Sequence, residues 1–143
     1  MVAGPFAFNL CPMKHLATLA VLLFAVGAAT AADTIYVHPN AELGGDGRSW
    51  NAPYRTLTIA LADAQAGDEI WMAKGTYRMG ATLNMKNGVR IYGGFNGDEQ
   101  LRERRDWYRN RTIIESAGGV ETLVSMKDVD STSRLDGLVL QGA

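Results

Sequence analysis

After residue 33, most of the chain consists of short segments in which apolar residues, many of them β-branched or aromatic, alternate with polar ones. Glycine-containing turns separate these segments, most clearly over residues 67–97. Strand centres placed at Ile70, Ile91, Ile114 and Leu138 are 21, 23 and 24 residues apart. A repeat of this length with a strand at each step is typical of a stacked solenoid. We therefore predict successive coils with aliphatic side chains stacked in the interior.

One segment has helical spacing instead. Between Thr56 and Ala66, apolar residues at i, i+3, i+4 and i+7 form one stripe: Leu57, Ala60, Leu61 and Ala64. Thr56 can cap the N-terminus of this helix, and Gly67 can take the left-handed conformation past its end. A lone amphipathic helix ahead of a run of strands is expected to cover the open end of the first coil.

The alternating segments predict seven strands separated by turn residues. The strands are Thr34–His38, Glu69–Ala73, Thr82–Met85, Val89–Tyr92, Thr112–Glu115, Glu121–Met126 and Leu135–Leu140. Turns are predicted at Lys74-Gly75, Asn87-Gly88, Gly93-Gly94, Gly118-Gly119 and Asp136-Gly137. Residues 96–111 are charged and follow neither period throughout, which predicts a loop that projects from one coil.

The N-terminal region has the three parts of a secretory signal peptide. Lys14 supplies the positive charge, residues 16–26 the apolar segment, and residues 29–31 an Ala-Thr-Ala cleavage site. Residues 1–12 carry no positive charge, so Met13 is an alternative start, and a buried N-terminal helix is the competing interpretation. The apolar segment is too short to span a bilayer comfortably, so no transmembrane helix is expected after cleavage. The protein is expected to be exported, either secreted or at the cell surface.

These patterns divide the chain into three predicted parts. Residues 1–31 are the signal peptide, cleaved after Ala31. Residues 32–68 hold an N-terminal strand, a turn-rich segment and the cap helix. Residues 69–143 form the first coils, with the charged insertion at 96–111.

Composition and charge exclude several kinds of site. The chain has 14 Lys and Arg against 15 Asp and Glu, so its net charge of −1 gives no indication of a nucleic-acid partner. Cys11 precedes the apolar segment, so cleavage would leave no cysteine for disulfides, thiol catalysis or a cysteine-rich metal site. His38 would then be the only histidine, which leaves no histidine pair for acid–base chemistry or for a metal.

Five motifs follow one another along the chain in a recognisable order. They are IYVHPNAELGGDGRSWNAPYRTL, ADAQAGDEIWMAKGTY, VRIYGGFNG, RRDWYRNRTIIES and RLDGLVLQGA. With these motifs the region from Ile35 to Ala143 resembles the N-terminal part of bacterial secreted proteins with the pectin-lyase-like fold. The resemblance implies a mainly β, right-handed parallel β-helix solenoid, represented here by an N-terminal cap helix and the first few coils, with further coils beyond Ala143.

The same resemblance bears on catalysis. Pectate lyases of this fold use aspartates and arginines of the middle coils to hold calcium and to abstract a proton. No position of this chain matches such a residue. We therefore assign no catalytic, cofactor-binding or metal-binding residue, and calcium is a candidate only for a longer, full-length protein.

Two aromatic residues are the candidate ligand-binding residues. Trp50 and Tyr54 either pack under the cap helix or form a platform on which a sugar ring stacks. Nearby Gly44 to Gly47 is either a tight turn or an anion-binding backbone nest. Among acidic residues, Asp128, Asp130 and Asp136 are either solvated turn carboxylates or part of a calcium site, which requires six to eight oxygens.

The insertion holds the only concentration of basic residues: Arg102, Arg104, Arg105, Arg109 and Arg111. With Trp107 and Tyr108 between them, these arginines resemble a surface for nucleic acid or an acidic polysaccharide. Acidic residues in the same insertion offset most of the charge: Asp98, Glu99, Glu103 and Asp106. The simpler interpretation is a loop folded back by local ion pairs and anchored by Trp107, with no nucleic-acid partner.

These observations favour a secreted or cell-surface β-helix scaffold that binds a polysaccharide or a cell-surface component and is not itself catalytic. One alternative is the N-terminal part of a polysaccharide lyase or glycoside hydrolase of the same fold. A second alternative is an outer-membrane adhesin or passenger. Calcium ligands and a basic residue on one sheet of further coils would distinguish the enzyme from the scaffold.

Overall fold

The computed structural model describes residues 31–142, and this part of the protein is mainly β, with parallel sheets and little helix. Apart from Ala31, the predicted signal peptide and the alternative start at Met13 lie outside the described residues. The nine strands are β1 (Thr34–Val37), β2 (Glu69–Ala73), β3 (Gly75–Met79), β4 (Leu83–Asn84), β5 (Arg90–Phe95), β6 (Thr112–Ser116), β7 (Val124–Ser125), β8 (Arg134–Asp136) and β9 (Leu138–Gln141). One α-helix, α1 (Leu57–Asp63), follows β1, and one 3-10 helix spans Arg102–Arg104.

The strands form three parallel sheets that the chain visits in rotation. Sheet 1 has the order β1-β2-β5-β8, sheet 2 the order β3-β6-β9, and sheet 3 pairs β4 with β7. From β2 onward the chain runs through sheets 1, 2 and 3 twice and then through sheets 1 and 2 again. Every pairing between these strands is parallel. This rotation is compatible with a β-helix.

Aliphatic side chains on the inner face of sheet 1 lie directly opposite one another. Ile35 pairs with Ile70, Ile70 with Ile91, and Ile91 with Leu135. The three isoleucines are at most 1% exposed and belong to one core that also contains Ile114. Burying a side chain of this size contributes about 1.5–3 kcal/mol, so this column is a main source of stability.

The predicted spacing of strand centres is wrong in one respect. Ile114 and Leu138 lie on sheet 2, in β6 and β9, and not in the column of Ile70 and Ile91. The residue opposite Ile91 on the next strand of sheet 1 is Leu135, which is 44 residues later. The insertion at 96–111 lengthens this coil, so the 23-residue step from Ile91 reaches Ile114 on sheet 2 and not a residue of sheet 1.

Helix α1 forms where the apolar stripe predicted it, but it is shorter. The Thr56 hydroxyl accepts a hydrogen bond from the Ile59 amide, as expected of an N-cap. The helix ends at Asp63 because Ala64 takes an extended conformation with ψ 143°. Gly67 does have a positive φ of 101°, but it belongs to the turn before β2 and does not directly follow the helix. Its turn amide donates to the Gly88 carbonyl.

Four features of the strands differ from the predictions. Strand β5 continues through the turn predicted at Gly93-Gly94 to Phe95, and only Val124–Ser125 of the predicted strand Glu121–Met126 is a strand. Strand β3 begins at Gly75, where a turn is predicted, and only Lys74 separates it from β2. On β3 the buried Tyr77 hydroxyl donates to the carbonyls of Val37 (3.1 Å) and Ala73 (2.9 Å), and burial raises the pKa of this phenol. The predicted strand Leu135–Leu140 is divided into β8 and β9 because Gly137 has a φ of +69°.

Within the described residues, no helix has the length and apolar character needed to cross a membrane.

Candidate functional site

The outer face of sheet 1 carries aromatic side chains that pack on one another. Tyr36 pairs with Trp71, and Trp71 with Tyr92, in the register of β1, β2 and β5. Trp50 and Phe95 complete this outer aromatic cluster. The rings of Trp71 and Phe95 are stacked with centroids 4.7 Å apart, and Tyr36 meets Trp50 edge-on at 4.8 Å. Such pairs contribute about 0.5–1.5 kcal/mol beyond their buried area.

The insertion at 96–111 folds back over this cluster through two arginines. The first, Arg102, lies with its guanidinium carbon 4.9 Å from the Tyr92 ring centroid and donates to the Glu69 carboxylate at 2.6 Å. Desolvation, the largest single effect, lowers the pKa of Arg102, but Glu69, Tyr92 and Glu103 together outweigh it, so the net pKa is raised. Arg102 therefore remains a cation bound between the insertion and β2.

The second arginine, Arg105, reaches farther along the sheet. It lies 5.1 Å from the Tyr92 centroid and donates to the Gly93 carbonyl (3.0 Å) within β5. It also donates to the Asp136 carboxylate (2.7 Å) and carbonyl (3.4 Å) on β8. Its side chain is only 15% exposed. Arg105 thus connects the insertion with two neighbouring strands of sheet 1.

Bare glycine backbone forms the surface on which this part of the insertion lies. A Cβ atom at Gly94 would lie 2.6 Å from the Cα atom of Trp107, and one at Gly137 would lie 2.6 Å from an Arg105 nitrogen. A Cβ atom at Gly93 would clash with the Gly137 carbonyl of the next coil. Side chains at Gly94 and Gly137 would displace the insertion from the sheet, and one at Gly93 would displace the turn that contains Gly137.

A turn at Asp106 then directs two aromatic side chains into solvent. The Asp106 carboxylate accepts the amides of Tyr108 (3.1 Å) and Arg109 (2.9 Å), and its own amide donates to the Gly94 carbonyl (2.8 Å). The side chain of Trp107 is 60% exposed and that of Tyr108 is 81% exposed. The prediction that Trp107 anchors the loop is therefore wrong: its backbone is packed on Gly94, but its indole is not buried.

These two rings border a groove of about 830 Å³. We call it the Trp107 groove: Trp107, Tyr108 and Arg111 form one wall, and Asp136 with the β9 residues up to Val139 forms the other. The Asp136 carboxylate in the second wall is already paired with Arg105. The groove therefore combines exposed aromatic faces, a guanidinium and strand backbone, a combination suited to binding a polar ligand with flat apolar faces.

Comparison with known proteins gives a family for the chain. Residues 43–133, more than half of the sequence, match the family described as "Protein of unknown function (DUF1565)". The chain belongs to this family. DUF1565 is a family of the right-handed β-helix type, which agrees with the parallel sheets. A search of curated proteins and a search of solved structures each found no match.

The DUF1565 match includes one wall of the Trp107 groove but not the other. It includes Trp107, Tyr108 and Arg111, and it ends one residue before β8 begins at Arg134. The wall formed by Asp136 and β9 therefore lies outside the matched residues.

The two residues predicted to bind a ligand, Trp50 and Tyr54, lie in different clusters. Trp50 belongs to the outer aromatic cluster, and its indole N–H donates to the Glu99 carbonyl at 2.8 Å. Tyr54 packs against the interior core, and its hydroxyl donates to the Asp63 carboxylate (3.2 Å). Desolvation and this carboxylate raise the pKa of Tyr54. Their role in ligand binding remains a prediction, but they do not form one platform.

The three aspartates considered for calcium also separate. Asp136 pairs with Arg105, whereas Asp130 accepts the amide and hydroxyl of Thr132, which lowers its pKa. Asp128 has a φ of +61° in the preceding turn. Among residues 31–142, no group of three or more His, Cys, Asp and Glu side chains is arranged to hold a metal ion.

A second groove, of about 700 Å³, lies between α1 and the β3–β4 connection. Its Lys86 ammonium donates to the carbonyls of Ala62 and Ala64, both at 2.8 Å, and so binds the end of the helix. The aromatic side chain in its lining, Tyr77, is 4% exposed. The Trp107 groove presents far more aromatic surface and is the stronger candidate for a ligand.

Proposed function

We propose that this protein is an exported, secreted or cell-surface scaffold that binds a polysaccharide in the Trp107 groove. The binding region is built on a right-handed parallel β-helix whose first coil is covered by α1. The partner is a polysaccharide or a glycosylated cell-surface component, and the scaffold performs no chemistry on it.

The proposed β-helix is supported by the strand order and by the family. Successive strands return to the same three sheets in a fixed rotation, and DUF1565 is of the right-handed β-helix type. The covering role of α1 is supported by its buried side chains. Leu57, Ala60 and Leu61 pack in the same core as Ile35 and Ile70, next to the first strand of sheet 1. A helix here would shield the apolar interior of the coil that contains β1.

The proposed ligand rests on one observation: two adjacent aromatic side chains remain exposed beside a groove although neighbouring arginines and backbone hold their segment rigidly. Trp107 and Tyr108 are 60% and 81% exposed. Large exposed aromatic side chains that are held in place are a feature of binding surfaces. The faces of an indole or phenol ring match the C–H faces of sugar rings, and Arg111 can donate to sugar oxygens.

Affinity electrophoresis tests this proposal. The secreted protein is run in native gels that contain polygalacturonate, carboxymethyl cellulose, xylan or hydroxyethyl cellulose. We expect at least one polysaccharide to retard it, and Trp107→Ala to weaken that binding roughly tenfold, since one aromatic contact is worth about 0.5–1.5 kcal/mol. Tyr108→Ala should act in the same direction.

The matched control is Leu101→Ala, which removes another exposed apolar side chain (54% exposed) from the same insertion without touching the groove. It should bind like the wild type. No retardation by any of the four polysaccharides, or equal retardation of the wild type and Trp107→Ala, would contradict the proposal.

A further inference from the structure

We propose that Arg105 is a positioning residue that fixes the spacing between the two walls of the Trp107 groove. This inference rests on the proposed function, because it concerns how the same groove is held open for its ligand. Arg105 itself is not among the residues that line the groove.

The two walls belong to different coils. The aromatic wall follows directly from Arg105 along the chain, through Asp106 to Trp107 and Tyr108. Its backbone is bonded to the coil of β5, since the amide of Asp106 and the side-chain amide of Asn110 both donate to the Gly94 carbonyl (2.8 and 3.4 Å). These bonds fix the backbone of the aromatic wall to β5, and strand pairing holds β8 beside β5 and β9 beside β6. They do not by themselves fix how the aromatic wall lies against Asp136 and Gly137.

The opposite wall is reached by one side chain. Within residues 31–142, the hydrogen bonds from the insertion to β8 and β9 all come from Arg105, to the carbonyl and the carboxylate of Asp136. The nitrogen that donates to the Asp136 carbonyl also donates to the Gly93 carbonyl within β5. The guanidinium thus holds the insertion against two coils whose own separation is set by the pairing of β5 with β8, and its planar fork makes this geometry specific.

Close packing at Gly137 makes the connection rigid. A Cβ atom there would lie 2.6 Å from the Arg105 nitrogen and 3.2 Å from the Cβ atom of Trp107. Arg105, Gly137 and Trp107 are therefore in direct contact where the two walls meet. Loss of the guanidinium leaves both walls intact in composition but frees the aromatic wall to shift against Asp136 and Gly137, and a ligand spanning the walls would have to reverse this shift at a cost in affinity.

The test compares Arg105→Gln with Arg104→Gln, an exposed neighbour in the same insertion. The probe is the member of the four-polysaccharide panel that retards the wild type most strongly. We expect Arg105→Gln to weaken binding roughly tenfold or more, and Arg104→Gln to bind like the wild type. Arg105→Lys should recover only part of the loss, because an ammonium cannot reproduce the forked contacts.

A second measurement does not depend on a ligand. The indole N–H signal of Trp107, assigned by its disappearance in Trp107→Phe, should shift or broaden in Arg105→Gln and stay unchanged in Arg104→Gln. A role confined to stability would lower the melting temperature without this change at temperatures where the protein is folded. If Arg105→Gln does not fold, Asp136→Asn replaces it, since that variant removes only the charge of the acceptor and should weaken binding in the same direction.

The outcomes separate the two proposals. Loss of binding in Trp107→Ala together with wild-type affinity and an unchanged Trp107 signal in Arg105→Gln would overturn the role of Arg105 and leave the function standing. If none of the polysaccharides binds, the proposed function fails, and the Trp107 signal alone still decides whether Arg105 positions the wall.

Discussion

The outer faces of sheets 1 and 2 have the same backbone pairing but opposite surroundings. On sheet 1, the outward-facing Trp71 and Tyr92 are 6% and 3% exposed, because Phe95 stacks on Trp71 and two arginines of the insertion lie over Tyr92. On sheet 2, the outward-facing Thr76 and Arg78 are exposed and Ile113 is only half-buried. The difference arises from the groups that cover each sheet and not from the strand pairing.

This contrast shows how a coil can acquire a second core. Most inward residues of both sheets are aliphatic or aromatic, as stacking of coils requires, and Thr112 and Ser116 are buried polar exceptions on sheet 2. Outward residues are free to be polar unless another segment covers them. On sheet 1, aromatic rings and the arginines that pack on them make the outer face and the insertion dependent on each other. The rigid attachment of the insertion is also what holds Trp107 and Tyr108 in their exposed positions.

The strongest test removes the ring on which both arginines lie. Tyr92→Ala should lower the free energy of unfolding by about 3–5 kcal/mol, as expected for the loss of a buried aromatic side chain. Ile113→Ala, on the outer face of sheet 2, should cost less than about 1 kcal/mol because its site is half-open to solvent. Urea unfolding monitored by circular dichroism measures both. Equal losses in the two variants would show that the insertion does not bury the outer face of sheet 1.

A second test addresses the contact of the turn before β9 with the insertion and with β5. Gly137→Ala introduces a Cβ atom 2.6 Å from an Arg105 nitrogen, 3.2 Å from the Trp107 Cβ atom and 2.8 Å from the Gly93 carbonyl. The last is backbone and cannot move aside, so the variant should cost about 1–3 kcal/mol in addition to the strain of its φ of +69°. Gly119→Ala is the matched control: its φ is +73°, but nothing lies within 4 Å of the added atom. It should show only the conformational strain, about 1 kcal/mol. If both variants lose the same stability, the turn is not packed against the insertion.

The alternation of short segments predicts the helix and the positions of all the strands except β3, with β8 and β9 predicted as one strand. The Glu69–Ala73 strand and the Thr56 N-cap were predicted as observed. Register was not predictable from spacing alone, because the insertion changes the length of one coil and moved Ile114 to another sheet. The corner at Lys74 was read as a turn because a glycine in a sequence does not reveal whether a strand resumes at once.

The site was harder to predict than the fold. Charge balance within residues 96–111 suggested local ion pairs, and two are present, Arg102 with Glu103 and Arg109 with Asp106. The shorter pairs, however, reach Glu69 and Asp136, which are 33 and 31 residues away in sequence. Ion pairs between residues so far apart in sequence depend on which coils are stacked on one another, and local charge balance does not predict this. The sequence does contain one signal of this contact: the glycines at positions 93, 94 and 137. A glycine in a strand often marks a place where another segment approaches the backbone closely.

The smallest expected effect distinguishes a covered ion pair from an exposed one. Arg102 and Glu69 are 2.6 Å apart beneath the insertion, with side chains 35% and 15% exposed, whereas Arg78 and Glu115 on sheet 2 are 3.0 Å apart with Arg78 76% exposed. Arg102→Gln should cost about 1 kcal/mol, including its contact with the Tyr92 ring, and Arg78→Gln less than about 0.5 kcal/mol. The cost of Arg78→Gln should also shrink further in 1 M NaCl, because salt screens exposed pairs more strongly than covered ones. Unfolding free energies at low and high salt provide the comparison, and an equally large salt effect on both variants would mean that water reaches Arg102 as freely as Arg78.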